Sequence, residues 1–187
     1  MLSILVKEGN PLLAFIGRNK PGFGFGASME KTSGRKESKM EESQRLEVRN
    51  WVQNAIAFFE QAGKEIALDE IDDPRGRFAQ NERYIYALDL RGKCLAHPAN
   101  KTLSGRSLIE LRDSAGKSFV QKIVRVAKAR GYGFTEYQWP APGKEGDLHK
   151  TVFFEKVDGM ILCCGFYSPE DEASYQKIFD RLFGPLE

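Results

Sequence analysis

Residues 131–167 read GYGFTEYQWPAPGKEGDLHKTVFFEKVDGMILCCGFY. Three runs rich in aromatic and β-branched residues are separated by turn residues at 143–146 and 158–159. Runs of this kind, bounded by glycine-containing turns, are typical of antiparallel strands joined as hairpins. The stretch therefore predicts three consecutive strands, the first of which ends in the aromatic pair Tyr137 and Trp139.

Two further strands are predicted upstream of this stretch. Residues 83–89 read RYIYALD and residues 94–97 read CLAH, with a tight turn around Gly92 between them. This pattern predicts a β-hairpin. Residues 118–130 instead repeat apolar side chains every three or four positions, which predicts a helix that ends at Gly131 as its C-cap.

A long amphipathic helix is predicted near the start of the chain. Apolar residues recur at three- and four-residue spacing from Leu46 to Ala67, so the helix is expected to run from Glu41 to about Leu68, weakened locally at Gly63. A shorter helix is predicted over residues 169–183. These elements predict an α+β fold in which a five-stranded antiparallel sheet has the long helix packed on one face.

Length and charge limit the class of protein. The 187 residues suffice for one domain, which we place at residues 41–187, after a flexible or poorly ordered segment at residues 1–40. The 28 basic and 26 acidic residues give a net charge of +2, which argues against a nucleic-acid binder. The sequence shows no membrane span and no signal peptide, so a cytoplasmic location is predicted, or a periplasmic one if the start is misassigned.

The sequence suggests neither catalysis nor a metal site. The two histidines and three cysteines form no recognisable nucleophile–base pair, and Cys94-x-x-His97 lacks the further ligands of a zinc site. Cys163 and Cys164 are neighbours within one predicted strand, so their side chains are expected on opposite faces as small buried hydrophobes. We therefore predict no enzymatic activity and no cofactor.

A set of short motifs in order resembles a known family. They are Ala57-Phe58-Phe59, Asp73-Pro74-Arg75-Gly76-Arg77-Phe78, Tyr84-Ile85-Tyr86-Ala87-Leu88-Asp89, Leu95-Ala96-His97-Pro98, Arg112-Asp113-Ser114-Ala115-Gly116-Lys117, Gly133-Phe134-Thr135-Glu136-Tyr137-Gln138-Trp139-Pro140, Lys150 and Gly165-Phe166-Tyr167. In the order and content of these motifs the chain resembles the single Cache domain, a PAS-like sensor module of bacterial chemoreceptors and signalling kinases. The resemblance covers about residues 52–167.

The resemblance implies a pocket for a small organic acid or similar metabolite on the sheet face away from the long helix. The candidate ligand-binding residues are Tyr84, Tyr86, His97, Tyr137, Trp139, Lys150 and Arg77. Because a buried carboxylate needs a cation or strong donor, Lys150 is the hypothesised partner, with His97 and Arg77 as alternatives. The residues alone leave other interpretations open: strand tyrosines are often core, and a lysine that opens a strand is often solvated.

Two alternative functions are therefore expected. The first is a ligand-binding sensor domain, for a short carboxylate or related metabolite, in bacterial signal transduction. The second is a structural or regulatory adaptor whose pocket is closed and which acts through protein–protein contact. The resemblance also implies a signalling kinase or chemoreceptor as partner, and a homodimer formed through the N-terminal helix.

Overall fold

The computed structural model describes residues 30–80 and 82–168. Its first helix, α1, spans Glu30–Ala62, and a second helix, α2, spans Lys64–Asp72. Gly63 separates them with a φ of 83°, a left-handed conformation that glycine adopts without strain. The prediction of one helix from Glu41 to Leu68 is therefore wrong at its start and in its continuity. Residues 1–29 and the helix predicted at 169–183 lie outside the described residues.

The strands and the third helix follow the predicted order. The first two strands are β1, Ala79–Gln80, and β2, Arg83–Asp89, followed by β3, Cys94–Ala96. Helix α3, Phe119–Arg130, then ends at Gly131, whose φ of 85° and hydrogen bond to Ala127 O form the predicted C-cap. Three long strands complete the described chain: β4, Tyr132–Pro140, β5, Asp147–Val157, and β6, Met160–Tyr167.

These strands form one antiparallel sheet in the order β1-β2-β6-β5-β4, with β3 paired to the outer side of β2. The predicted α+β architecture is confirmed, with the short strand β1 as an addition. Strand β6 lies between β2 and β5, so the β5–β6 hairpin joins the β2–β3 hairpin through the pairing of β6 with β2. This order brings side chains from distant parts of the sequence onto the same face of the sheet.

Each face of the sheet has its own buried cluster. One cluster lies beneath α1 and contains Val48, Val52 and Ala55 of that helix together with Phe153 and Leu162 of the sheet. The cluster on the other face lies beneath α3 and contains three tyrosines beside aliphatic side chains: Tyr84, Tyr86, Tyr137, Val152, Ile161 and Ile123. The tyrosines predicted to share a pocket therefore do lie on the face away from α1.

Candidate ligand-binding site

Lys150 is a lysine buried within the sheet. It lies on β5, between β4 and β6, and is only 1% exposed. Its ammonium donates a hydrogen bond of 2.8 Å to the Tyr84 hydroxyl, and it lies 4.0 Å from the Tyr84 ring centroid and 4.8 Å from that of Tyr167. Among the described residues, no carboxylate forms an ion pair with it. Lys150 is thus a buried cation that has aromatic and hydroxyl neighbours but lacks an acidic partner there.

Gly165 makes room for the stem of this lysine. It lies on β6, paired to Val152 of β5, and a Cβ added there would come within 2.7 Å of both Lys150 Cε and Val152 Cγ2. The backbone carbonyl of Thr151 would be 2.8 Å away. These distances are shorter than ordinary van der Waals contact, so any larger residue would displace the lysine or the strands.

His97 lies beside the tyrosines at the end of β3. Its ring stacks on Tyr86 with centroids 5.5 Å apart, and the Tyr84 centroid is 5.1 Å away. The Asn100 backbone N–H donates to Nδ1 at 3.0 Å, so the neutral imidazole carries its proton on Nε2. Burial, followed by the positive charge of Lys150, lowers the pKa of His97 to about 4. The side chain is therefore a neutral N–H donor at physiological pH.

The hydroxyl groups of Tyr86 and Tyr137 form a hydrogen bond of 3.1 Å. Burial raises the pKa of both well above the ordinary value, so both remain protonated. The ring of Phe119 on α3 stacks on Tyr137 with centroids 3.9 Å apart, and Trp139 meets both rings edge-on. On the same strand, the Thr135 hydroxyl is buried without a hydrogen-bond partner in the described part of the chain. Polar groups and aromatic walls thus share this face.

Arg77 lies elsewhere. Its guanidinium stacks 4.3 Å over the Phe58 ring, pairs with Glu70 at 3.3 Å, and its side chain is 59% exposed. It lines a separate groove of about 440 Å³ on the α1 side of the sheet, together with Trp51, Asn54, Phe58, Phe78 and Gln80. The structure therefore brings six of the seven predicted residues to one face, where Trp139 lies at the end of the cluster, and leaves Arg77 outside it.

Sequence reasoning missed Tyr167 as part of this cluster. Tyr167 is paired directly with Lys150 across β5 and β6, and its hydroxyl donates to Pro140 O at 2.8 Å. Burial, then the neighbouring Tyr84, raises its pKa above the ordinary value. Strand parity could have placed its ring on the correct face, but the contact with Lys150 depends on the register between two strands.

All three cysteines are buried as free thiols. Cys163 belongs to the cluster beneath α3 and Cys164 to the cluster beneath α1, as alternation predicts. Burial raises the pKa of the Cys94 thiol to about 11 and that of Cys164 to about 12. Within residues 30–80 and 82–168, no group of three or more His, Cys, Asp and Glu side chains could hold a metal ion.

Comparison with known proteins identifies the family. A family model described as a Cache domain matches residues 27–181. The chain belongs to the Cache domain family. A 99-residue segment of this Cache domain is 29% identical to the methyl-accepting chemotaxis protein McpP of Pseudomonas putida KT2440 and covers 52% of the chain but 18% of that receptor. The chain thus spans less than a fifth of the curated relative it matches.

Two solved structures are similar to the Cache domain over most of their length. One is described as the periplasmic sensor domain of a chemotaxis protein. It is 26% identical with a TM-score of 0.54, and the match covers 75% of this chain and 99% of that structure. The other is described as the structural basis for carboxylic acid recognition by a Cache chemosensory domain; it is 26% identical with a TM-score of 0.53 and the same coverage. This chain is therefore a Cache sensor domain homologous to the sensory domains of chemotaxis receptors.

The comparisons overturn the predicted cytoplasmic location. The relatives are chemoreceptor sensor domains, one of them described as periplasmic, which points to placement outside the cytoplasm. The prediction depended on the lack of a recognisable export signal in the sequence. In the described residues, the helices are too short or too polar for any of them to cross a membrane.

Proposed function

We propose that this Cache domain binds a small carboxylate whose charge pairs with the ammonium of Lys150. The observation that carries the proposal is the burial of Lys150, at 1% exposure, without an acidic partner among the described residues. A buried charge without a counterion is costly, by several kcal/mol even after the surroundings relax. A bound carboxylate would provide the missing counterion, and a similar Cache domain is described as recognising carboxylic acids.

The neighbouring groups favour a simple carboxylate over an amino acid. Lys150 has ammonium protons beyond the one given to Tyr84, and the neutral His97 has its Nε2–H. Both groups are donors that suit carboxylate oxygens. Among the described residues no Asp or Glu side chain pairs with the Lys150 ammonium, so no carboxylate beside Lys150 is placed to hold the ammonium of an amino acid. The aromatic rings would enclose a short apolar tail.

Calorimetric titration of the domain tests this function. Sodium acetate and sodium propanoate are the probes, and ethylamine and glycine are matched compounds with a different charge pattern. We expect heat of binding from at least one carboxylate and from neither ethylamine nor glycine. The absence of both binding heat and a shift in thermal midpoint with every one of the four compounds would contradict the proposal, because a ligand that binds only the folded state must stabilise it.

The adaptor remains the second candidate, and one observation favours it. Phe119 of α3 packs flat on Tyr137 at 3.9 Å, so part of the tyrosine cluster is already covered by protein. If Phe119→Ala gains no carboxylate affinity and a broad screen of small acids is silent, this closed-core function is supported. An increase in affinity would instead show that Phe119 restricts access to a genuine ligand site.

We also propose a chemoreceptor or signalling kinase as the downstream partner and a homodimer formed through α1. Support comes from the chemotaxis receptor that the sequence matches and from Met40 and Leu46 of α1, which are 47% and 60% exposed. In such a dimer these exposed side chains would supply apolar contact area. Sedimentation equilibrium of wild type and Leu46→Glu tests the dimer: we expect a weaker dimer for the variant, and a monomeric wild type would contradict it.

We assign no catalytic step to the domain.

A further inference from the structure

One carboxylate joins helix α2 to the loop that follows β3. Asp72 is the last residue of α2, and its Oδ1 accepts hydrogen bonds from the His97 backbone N–H at 2.8 Å and from Ser104 Oγ at 2.9 Å. The ammonium of Lys101 contacts both Oδ2 and the backbone carbonyl of the same aspartate. A single side chain thus connects the end of a helix to both ends of the loop at 97–104.

An aspartate is an unfavourable choice for the end of a helix. The C-terminal carbonyls carry partial negative charge, so a cation would be preferred there. Burial acts to raise the pKa of Asp72, but hydrogen bonds from Lys101, His97 and Ser104 outweigh it and the pKa lies below the ordinary value. The carboxylate is therefore ionised at physiological pH and held by three donors, which its helical position alone does not explain.

The residue held by Asp72 is the histidine of the candidate site. The His97 main chain is fixed by Asp72, while its Nδ1 accepts the Asn100 N–H, so the ring is held at both its main chain and its side chain. In that position the ring packs against Tyr84 and Tyr86. A shift of the Asp72 carboxylate would therefore move the imidazole relative to Lys150.

We propose that Asp72 is a positioning residue of the ligand site, which holds His97 against the tyrosine cluster and so couples ligand binding to the end of α2. This inference depends on the proposed function in one respect, namely that His97 donates a hydrogen bond to the bound carboxylate. Asp73, the next residue, provides a matched control, because its carboxylate accepts from Arg75 N and makes no bond to the 97–104 loop.

A double-mutant cycle measures the coupling. The affinity for acetate or propanoate is determined by calorimetry for Asp72→Ala, His97→Ala, the double variant and the control Asp73→Ala. We expect Asp72→Ala to weaken binding about tenfold, Asp73→Ala to leave it unchanged, and Asp72→Ala to add nothing once His97 is absent. Asp72→Asn keeps an oxygen for the His97 N–H and should stay within about threefold of wild type. Losses that simply add in the double variant would overturn the inference and leave the proposed function standing.

Hydrogen exchange tests the same link without any ligand. In Asp72→Ala the amides of residues 97–104 should exchange at least about tenfold faster than in wild type, while Asp73→Ala should match wild type there. Unchanged protection in Asp72→Ala would overturn the inference whether or not a carboxylate binds. A wild-type protein that binds no carboxylate would refute the proposed function, and the exchange result would still decide whether Asp72 holds His97.

Discussion

The two faces of the sheet bury different chemistry. Beneath α1 the buried side chains are almost wholly apolar, as at Val52 and Phe153, whereas the other face buries Lys150 and His97 among tyrosines. The same strands supply both faces, because neighbouring residues point in opposite directions. The α1 face is thus packed almost purely by apolar side chains, whereas the α3 face combines its own large apolar cluster with buried polar groups. Changes on the α1 face should therefore affect stability alone, whereas changes on the α3 face should also affect binding.

The largest effect on stability is expected from the α1 face. Phe153 is 1% exposed and packs against Phe134 with centroids 5.0 Å apart. Phe153→Ala should lower the free energy of unfolding by about 3–5 kcal/mol through lost burial and a residual cavity. Urea denaturation measures the loss, and carboxylate affinity of the folded variant should stay within about threefold of wild type. A loss below about 1 kcal/mol, or a selective loss of binding, would remove the distinction between the faces.

The free energy of unfolding should depend on pH through His97, which lies on the α3 face. His97 has a pKa of about 4 in the folded protein, against about 6.5 for an unfolded histidine. Between these values the unfolded state binds one more proton, so stability is complete above about pH 6.5 and falls as the pH drops toward 4. The loss should reach up to about 3 kcal/mol.

Urea denaturation at several pH values between 4 and 7 measures this slope. His97→Gln is the control, since glutamine keeps a polar side chain but does not titrate in this range. We expect the variant to lose most of the slope. An equal slope in wild type and variant would show that other groups cause it and that His97 is not buried in its neutral form.

A smaller effect, on both stability and carboxylate affinity, is expected from a substitution at Gly165. Gly165→Ala places a methyl group 2.7 Å from Lys150 Cε and should cost about 1–3 kcal/mol of stability. It should also weaken carboxylate binding, because the lysine stem must move. Cys164→Ala is the matched control on the same strand, since Cys164 faces α1 and its loss should reduce stability without changing affinity. Equal affinities in the two variants would show that Gly165 does not position Lys150.

Much of the fold could be predicted because local signals and tertiary structure agree. The alternation in residues 83–89 and 131–167 and the glycine at 131 correspond to real strands and a real C-cap. The break at Gly63 was not predicted, because the apolar period continues through Phe59 and Ala67 on both sides of it. The start of α1 at Glu30 was also missed, since residues 30–39 contain no large apolar residue and so have no apolar period to mark a helix.

The family resemblance selected the candidate site residues, and strand parity accounts only for which of them share a face. Tyr84, Tyr86, Tyr137 and Lys150 lie on strands, and their positions within each strand place them on one face. Arg77 lies in the connection between α2 and β1, where no periodicity tells which way a side chain points. The role of Asp72 depends on contacts with residues 25 to 32 positions away, which no local pattern encodes.

Lys150→Met tests most directly whether the buried ammonium of Lys150 binds an anionic ligand. Methionine keeps much of the length of the lysine side chain but removes its charge. We predict opposite effects: the unliganded variant should be as stable as wild type or more so in urea, while its affinity for acetate or propanoate should fall by at least about 30-fold. Unchanged affinity, or a ligand-free protein destabilised by several kcal/mol, would contradict the account.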